Sequence, residues 1–156
     1  MSLAEQLFSF EGRLRRRDYW ISSIILWIAV FAATSCVLGL FGAFTGAFFG
    51  AKTVLQPAAV HALLPGSIVA VLLVLGIMLI ALWPSLAIGV KRCHDRDKSG
   101  WWLLLWFVLM MIPFLGVLAW AWQIIELGFI DGTQGGNRFG PSPKGIDSAR
   151  LGSVFE

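Results

Sequence analysis

Three long stretches without a charged side chain constrain this chain more than any other feature. No Asp, Glu, Lys or Arg occurs from Tyr19 to Ala51, from Thr53 to Val90, or from Ser99 to Ile125. The hydrocarbon core of a bilayer is about 30 Å thick, so a helix rising about 1.5 Å per residue needs roughly 20 apolar residues to cross it. Each stretch is long enough for one crossing. The expectation is an all-α membrane protein with three transmembrane helices, over about 20–41, 67–90 and 101–125. A short N-terminal cytoplasmic segment precedes them and a Gly/Pro-rich C-terminal tail follows. Residues 1–143 are expected to form a single membrane domain, and 144–156 a disordered tail.

Composition agrees. The chain is 58% hydrophobic and 13% charged, against roughly 45–50% and 25% in soluble domains. A water-soluble monomer could not cover that much apolar surface. The basic residues cluster at two places. Arg13, Arg15, Arg16 and Arg17 precede the first stretch, and Lys91, Arg92, Arg96 and Lys98 separate the second from the third. Lys and Arg beside short loops stay cytoplasmic. Three crossings then put the N-terminus in the cytoplasm and the C-terminus, with Arg138, in the periplasm; the alternative is a re-entrant third stretch that turns back at Pro113 to Gly116 and brings the tail to the His94-Asp95 loop.

Several residues have expected roles. Tyr19, Trp20, Trp101 and Trp102 suit the membrane interface, because their rings are apolar with a polar edge. Gly42, Gly46 and Gly50 are four residues apart and would share a helix face for close packing, within the chain or in a homo-oligomer. Ser99 can cap the helix that follows it. Pro84 and Pro113 are expected to kink their helices. Met1 to Phe10 reads as a short amphipathic helix on the inner leaflet. Cys36 falls in a span and Cys93 in a loop, so no disulfide is expected. Ala33-Thr34-Ser35-Cys36 has some features of a lipoprotein cleavage site, but the apolar run continues past the cysteine as an anchor would.

The segment richest in chemistry is Lys91-Arg92-Cys93-His94-Asp95-Arg96-Asp97-Lys98. His94 and Asp95 are an acid–base pair or a partial metal site on paper. Metal sites want three or four ligands, however, and this segment supplies too few of matched geometry. No metal, cofactor or catalytic set is expected. The basic clusters read instead as a collar attracted to anionic phospholipid headgroups. Too few basic residues are free of the bilayer for a nucleic-acid role. The spans hold no ionisable group, which disfavours a pore or transporter within one subunit.

Three separated segments resemble a known family. They are Phe10-Glu11-Gly12-Arg13 with Arg16 and Tyr19-Trp20, then Arg92-Cys93-His94-Asp95 with Ser99-Gly100-Trp101-Trp102, then Gly132-Thr133, Gly135 and Asn137-Arg138-Phe139-Gly140-Pro141 with Pro143. In order and spacing the chain resembles the YhaH-like family of small bacterial inner-membrane proteins, a domain of unknown function. Ile112-Pro113 and Gly116 also match. The resemblance implies a bacterial inner-membrane location and a small helical bundle, with no reaction, substrate or cofactor. It singles out Arg13, Arg16, Arg92, His94, Asp95, Ser99, Asn137 and Arg138 as candidate binding residues. The stretch from about Phe41 to Gly66 is longer than the family's usual first loop.

The function expected on these grounds is non-enzymatic. A basic cytoplasmic face would contact lipid headgroups or a partner protein. The alternatives are an enzyme or metal site at His94 and Asp95, or an oligomeric pore.

Overall fold

The computed structural model describes residues 3–53 and 57–144, the side chains of 48–65 excepted. Its elements are α1 (Leu3–Phe8), α2 (Arg16–Thr53), α3 (Pro57–Asp95), α4 (Trp101–Met110), α5 (Leu115–Ile124) and a π-helical turn (Ile125–Phe129). No strand occurs among the described residues, only one isolated bridge between Asn137 and Gly140.

Two helices are long and apolar enough to cross a membrane, Arg16–Ala47 and Gly66–Asp95. A core helix of a soluble protein would be mostly buried. Here only 6% of the most apolar window of each is covered by the chain itself. Both helices outrun the expected spans. The stretch between the first two expected spans is helical as far as Thr53 and again from Pro57. Pro84 interrupts nothing, for α3 is assigned as helix straight through it.

The chain divides into two compact units, Leu26–Leu82 and the described residues of Met1–Ile25 with Trp83–Glu156. The first holds the apolar middles of α2 and α3. Phe31, Leu38, Leu40, Leu72, Leu79 and Ile80 are exposed there, as lipid-facing side chains are. Gly42 and Gly46 are exposed as well, and a Cβ added at either would meet nothing within 4 Å. Among the described residues nothing packs against this face. The surroundings of Gly50 lie outside the described side chains.

The second unit corrects the expected third span. Residues 101–125 do not form one helix. Helices α4 and α5 have 10 residues each, so each reaches about 15 Å, half of the hydrocarbon core. The chain turns back between them. Pro113 lacks an amide donor, and Phe114 takes a positive φ of 66° at the turn, almost fully exposed. Gly116 then lets the two arms touch, since a Cβ there would stand 2.7 Å from the carbonyl oxygen of Met110. Trp122 on α5 meets Trp102 and Trp106 on α4 edge-on, both with ring centroids 5.9 Å away. Trp106 is fully buried with Cys93 and Leu127 in the core. Its indole N–H has no partner among the described residues.

Because the hairpin returns, the tail meets the segment from which the hairpin departs. The expected separation of His94 and Asp95 from Asn137 and Arg138 is overturned. A further expectation, a disordered tail from 144 onward, lies outside the described residues apart from Lys144.

Candidate functional site

Three segments far apart in sequence converge in the second unit: the loop before α2, the end of α3, and the tail after the π-helical turn. Asp95, 2% exposed, is their centre. Arg13 donates from Nε to its Oδ1 at 3.2 Å, and Arg92 donates from Nη1 to its Oδ2. One carboxylate thus faces two guanidinium groups, and both arginines are buried.

Carbonyl oxygens take the remaining donors. Arg13 donates to Thr133 O at 2.6 Å and Gly135 O at 2.7 Å. Arg92 donates to Leu127 O at 2.6 Å, to Leu14 O at 3.3 Å and to Ile130 O. The guanidinium forks therefore bind the tail and the π-helical turn as much as they bind Asp95. A buried ion pair needs such additional bonds to offset its desolvation. The backbone of Asp95 is used too, its carbonyl accepting from Thr133 N at 2.8 Å. Gly132 passes so close that a Cβ there would overlap the Asp95 carboxylate.

Around this knot lie further fastenings. Asn137 Nδ2 donates to His94 O at 2.8 Å and to Thr133 Oγ1 at 3.0 Å. The His94 ring stacks on Phe139, with centroids 3.9 Å apart, and its Nδ1 lies 3.3 Å from Gly12 O. Arg138 pairs with Asp97 at 3.2 Å. Lys91, fully buried, donates to Glu5 O and Gln6 O, both at 2.6 Å, and so ties down α1. Glu126 receives Lys98 at 2.7 Å and Arg96 at 3.2 Å, pinning both ends of the hairpin together.

This geometry corrects several expectations. Arg13, Lys91 and Arg92 do not belong to an exposed collar, because buried carbonyls and Asp95 consume their charge and donors. His94 and Asp95 do not form a pair, since His94 faces Gly12 and Phe139 while both carboxylate oxygens of Asp95 are held by arginine. Among the described residues no group of three or more His, Cys, Asp and Glu could hold a metal. Ser99 caps weakly, with its Oγ 3.5 Å from Trp101 N, and Gly100 occupies the N-cap position. Tyr19 and Trp20 also make contacts within the protein. Tyr19 packs on the Cys93–Trp106–Leu127 core, and Trp20 Nε1 donates to Gly128 O at 3.0 Å. Trp101 is well exposed, while Trp102 lies in the hairpin with Lys98 Nζ 4.7 Å from its ring centroid.

Glu126 was not singled out from the sequence, although as the first charge after an apolar stretch it had to find cations. Lys91 and Thr133 were noted only within the basic cluster and the family motif, without their roles.

The family model for a protein of unknown function, DUF805, matches residues 7–141. The chain belongs to this family. It is 32% identical to the uncharacterized protein YiiR of Escherichia coli K12, covering 94% of this chain and 93% of that one. It is 32% identical to the inner membrane protein YhaI of the same strain (92% and 93% covered), and 33% identical to the inner membrane protein YhaH (92% and 94% covered). No solved structure matches. The three motif segments behind the YhaH-like resemblance are the same three that meet at Asp95.

The ion pairs at Glu126 make the hairpin sensitive to acid. Burial alone would raise the Glu126 pKa, but the hydrogen bonds and charges of Lys98 and Arg96 outweigh it and hold the carboxyl below its ordinary value of 4.5. A depressed folded pKa contributes stability above the ordinary value, and that stability is lost as pH falls through the folded one. The melting temperature of the purified protein in detergent is expected to fall between pH 5 and pH 3, and a Glu126→Gln variant to lose less over that interval. Equal losses in the two proteins would refute the assignment.

Proposed function

We propose that this chain is an inner-membrane protein of two transmembrane helices and one re-entrant hairpin. Both described ends would face the cytoplasm, where a basic surface contacts anionic phospholipid headgroups without catalysing a reaction. The relatives named as inner membrane proteins support the location. Charge supports the topology. Of the twelve Lys and Arg residues, only Lys52 falls between the two spans, so two crossings leave a stronger cytoplasmic bias than three.

One observation carries the headgroup reading. While Arg13 and Arg92 are spent in the interior, Arg16 and Arg17 at the start of α2 keep side chains 48% and 77% exposed. They precede lipid-facing Ile21 by little more than a turn and Ile24 by about two. Basic side chains at that level gain about 1 kcal/mol each from an anionic leaflet. Their surface ion pairs with Asp131 and Asp18, at 3.6 and 3.8 Å, are too weak to compete strongly.

The test is lipid co-purification from bilayer fragments of mixed phosphatidylglycerol and phosphatidylethanolamine. Wild type is expected to enrich the anionic lipid, and an Arg16→Gln, Arg17→Gln double variant to carry the bulk ratio. Identical ratios in both would defeat the proposal. An enzymatic reading gains nothing from the geometry, since the carboxylate it would use is fixed by two arginines.

A further inference from the structure

The geometry points to a discrete site for one phosphate group, in a cleft between the loop before α2 and the tail. This deepens the headgroup reading and rests on it for the source of the phosphate. The cleft encloses about 250 Å³. Gly12, Arg15 and Asp18 line one side, and Phe139, Pro141 and Ser142 the other. It therefore exists only because the tail folds back onto the knot at Asp95.

Its chemistry is cationic. Arg15 donates from Nε to Asp18 Oδ2 at 2.7 Å, and its terminal nitrogens donate to nothing among the described residues. Asp18 carries a second guanidinium, with Arg17 Nε 3.8 Å from its other oxygen. Two cations against one carboxylate leave the rim positive. Asp18 also holds the Arg15 fork in place, which lowers the ordering cost of a bound oxyanion. Ser142 Oγ accepts from Lys144 N at 3.3 Å and keeps its hydroxyl proton to donate. Helix α2 starts at this wall, so its positive end adds to the same potential.

Size narrows the ligand. Drug-sized molecules occupy pockets of roughly 300–1,000 Å³, so a whole nucleotide or a peptide would overfill this one. A single phosphate with a short substituent fits. Position favours a lipid source, because lipid-facing Trp20 and Ile21 follow Asp18 within one turn. The shared chemistry is a phosphate oxyanion, carried by a phospholipid or free in solution.

The experiment uses the full chain in detergent, titrated with short-chain phosphatidylglycerol and, in a second arm, with inorganic phosphate alone. Phosphorus NMR and native mass spectrometry read the bound species. Wild type is expected to hold one phosphate group saturably. Arg15→Gln removes the donor, and Ser142→Trp fills the cleft from the opposite wall. Each is expected to weaken binding about tenfold or more, the effect of losing one charge-assisted hydrogen bond. Arg16→Gln, outside the cleft lining, is expected to keep the saturable site while weakening the general anionic enrichment. Saturable binding by the lipid alone assigns a headgroup, and displacement by inorganic phosphate assigns a free anion. Either supports the site. Unchanged affinity in Arg15→Gln and Ser142→Trp, with wild-type melting, overturns it. So does a uniform loss in all variants, which would leave only the diffuse basic surface standing.

Discussion

Asp95→Asn is expected to cost about 3–5 kcal/mol of stability, the usual penalty for removing one partner of a buried ion pair. The variant keeps the side chain's shape and one acceptor oxygen. It leaves two buried guanidinium groups, Arg13 and Arg92, without a counter-charge. Asp18→Asn is the proper comparison. Its carboxylate meets Arg15 and Arg17 where both are solvated, and such pairs contribute about 0–1 kcal/mol. Gly132→Ala should reproduce much of the Asp95 loss without changing any charge, because the added Cβ would displace the carboxylate from both arginines. Thermal or urea unfolding of the three variants in one detergent measures this. An Asp95→Asn variant as stable as Asp18→Asn would show that carbonyl bonds alone hold the arginines.

A second large effect concerns topology. A fluorescent protein fused after Glu156 is expected to be bright, and an alkaline phosphatase fused there inactive. The structure ties Thr133 and Asn137 to the backbone of Asp95 and His94, and the proposed topology puts the tail on the side of the loop after α3. The loop between α3 and α4 opens a hairpin whose two ends are joined by Glu126 with Lys98 and Arg96. Fusions truncated at Lys52 should give the opposite pattern, because that residue falls between the two spans. An active phosphatase after Glu156 would mean that residues 101–125 cross the bilayer once, and would dissolve the Asp95 knot with it. Replacing Pro113 and Gly116 together by Leu is the structural counterpart. It should favour a continuous helix and move the tail across.

How much of this was legible in the residues differs from element to element. The two full spans were readable from charge-free length alone, since α2 and α3 meet a requirement set by the bilayer and need no partner. Arg13, Arg92, His94, Asp95, Asn137 and Arg138 were named as one candidate set from motif resemblance. Their roles were not readable, because a guanidinium on a solvated collar and one buried on a carboxylate look identical in sequence. The third stretch shows the same limit. Pro113 and Gly116 marked a weak point, but proline kinks and full reversals share that signature. The hairpin required the positive φ at Phe114 and the packing of Trp122 between Trp102 and Trp106 to decide it.

By itself, then, the sequence determined that the chain is helical and membrane-embedded and that its charges are excluded from long apolar stretches. Solvent imposes those properties residue by residue. Only the tertiary structure decided that the third apolar stretch returns, that the tail closes over Asp95, and that a cleft opens beside Arg15. The closure of the tail and the cleft depend on groups far apart in sequence, as with Arg92 and Ile130 or Arg13 and Gly135, and the return of the third stretch on packing between its two arms. Their bonds are strong because the protein excludes water there, and no local pattern encodes which distant carbonyl will take a given donor.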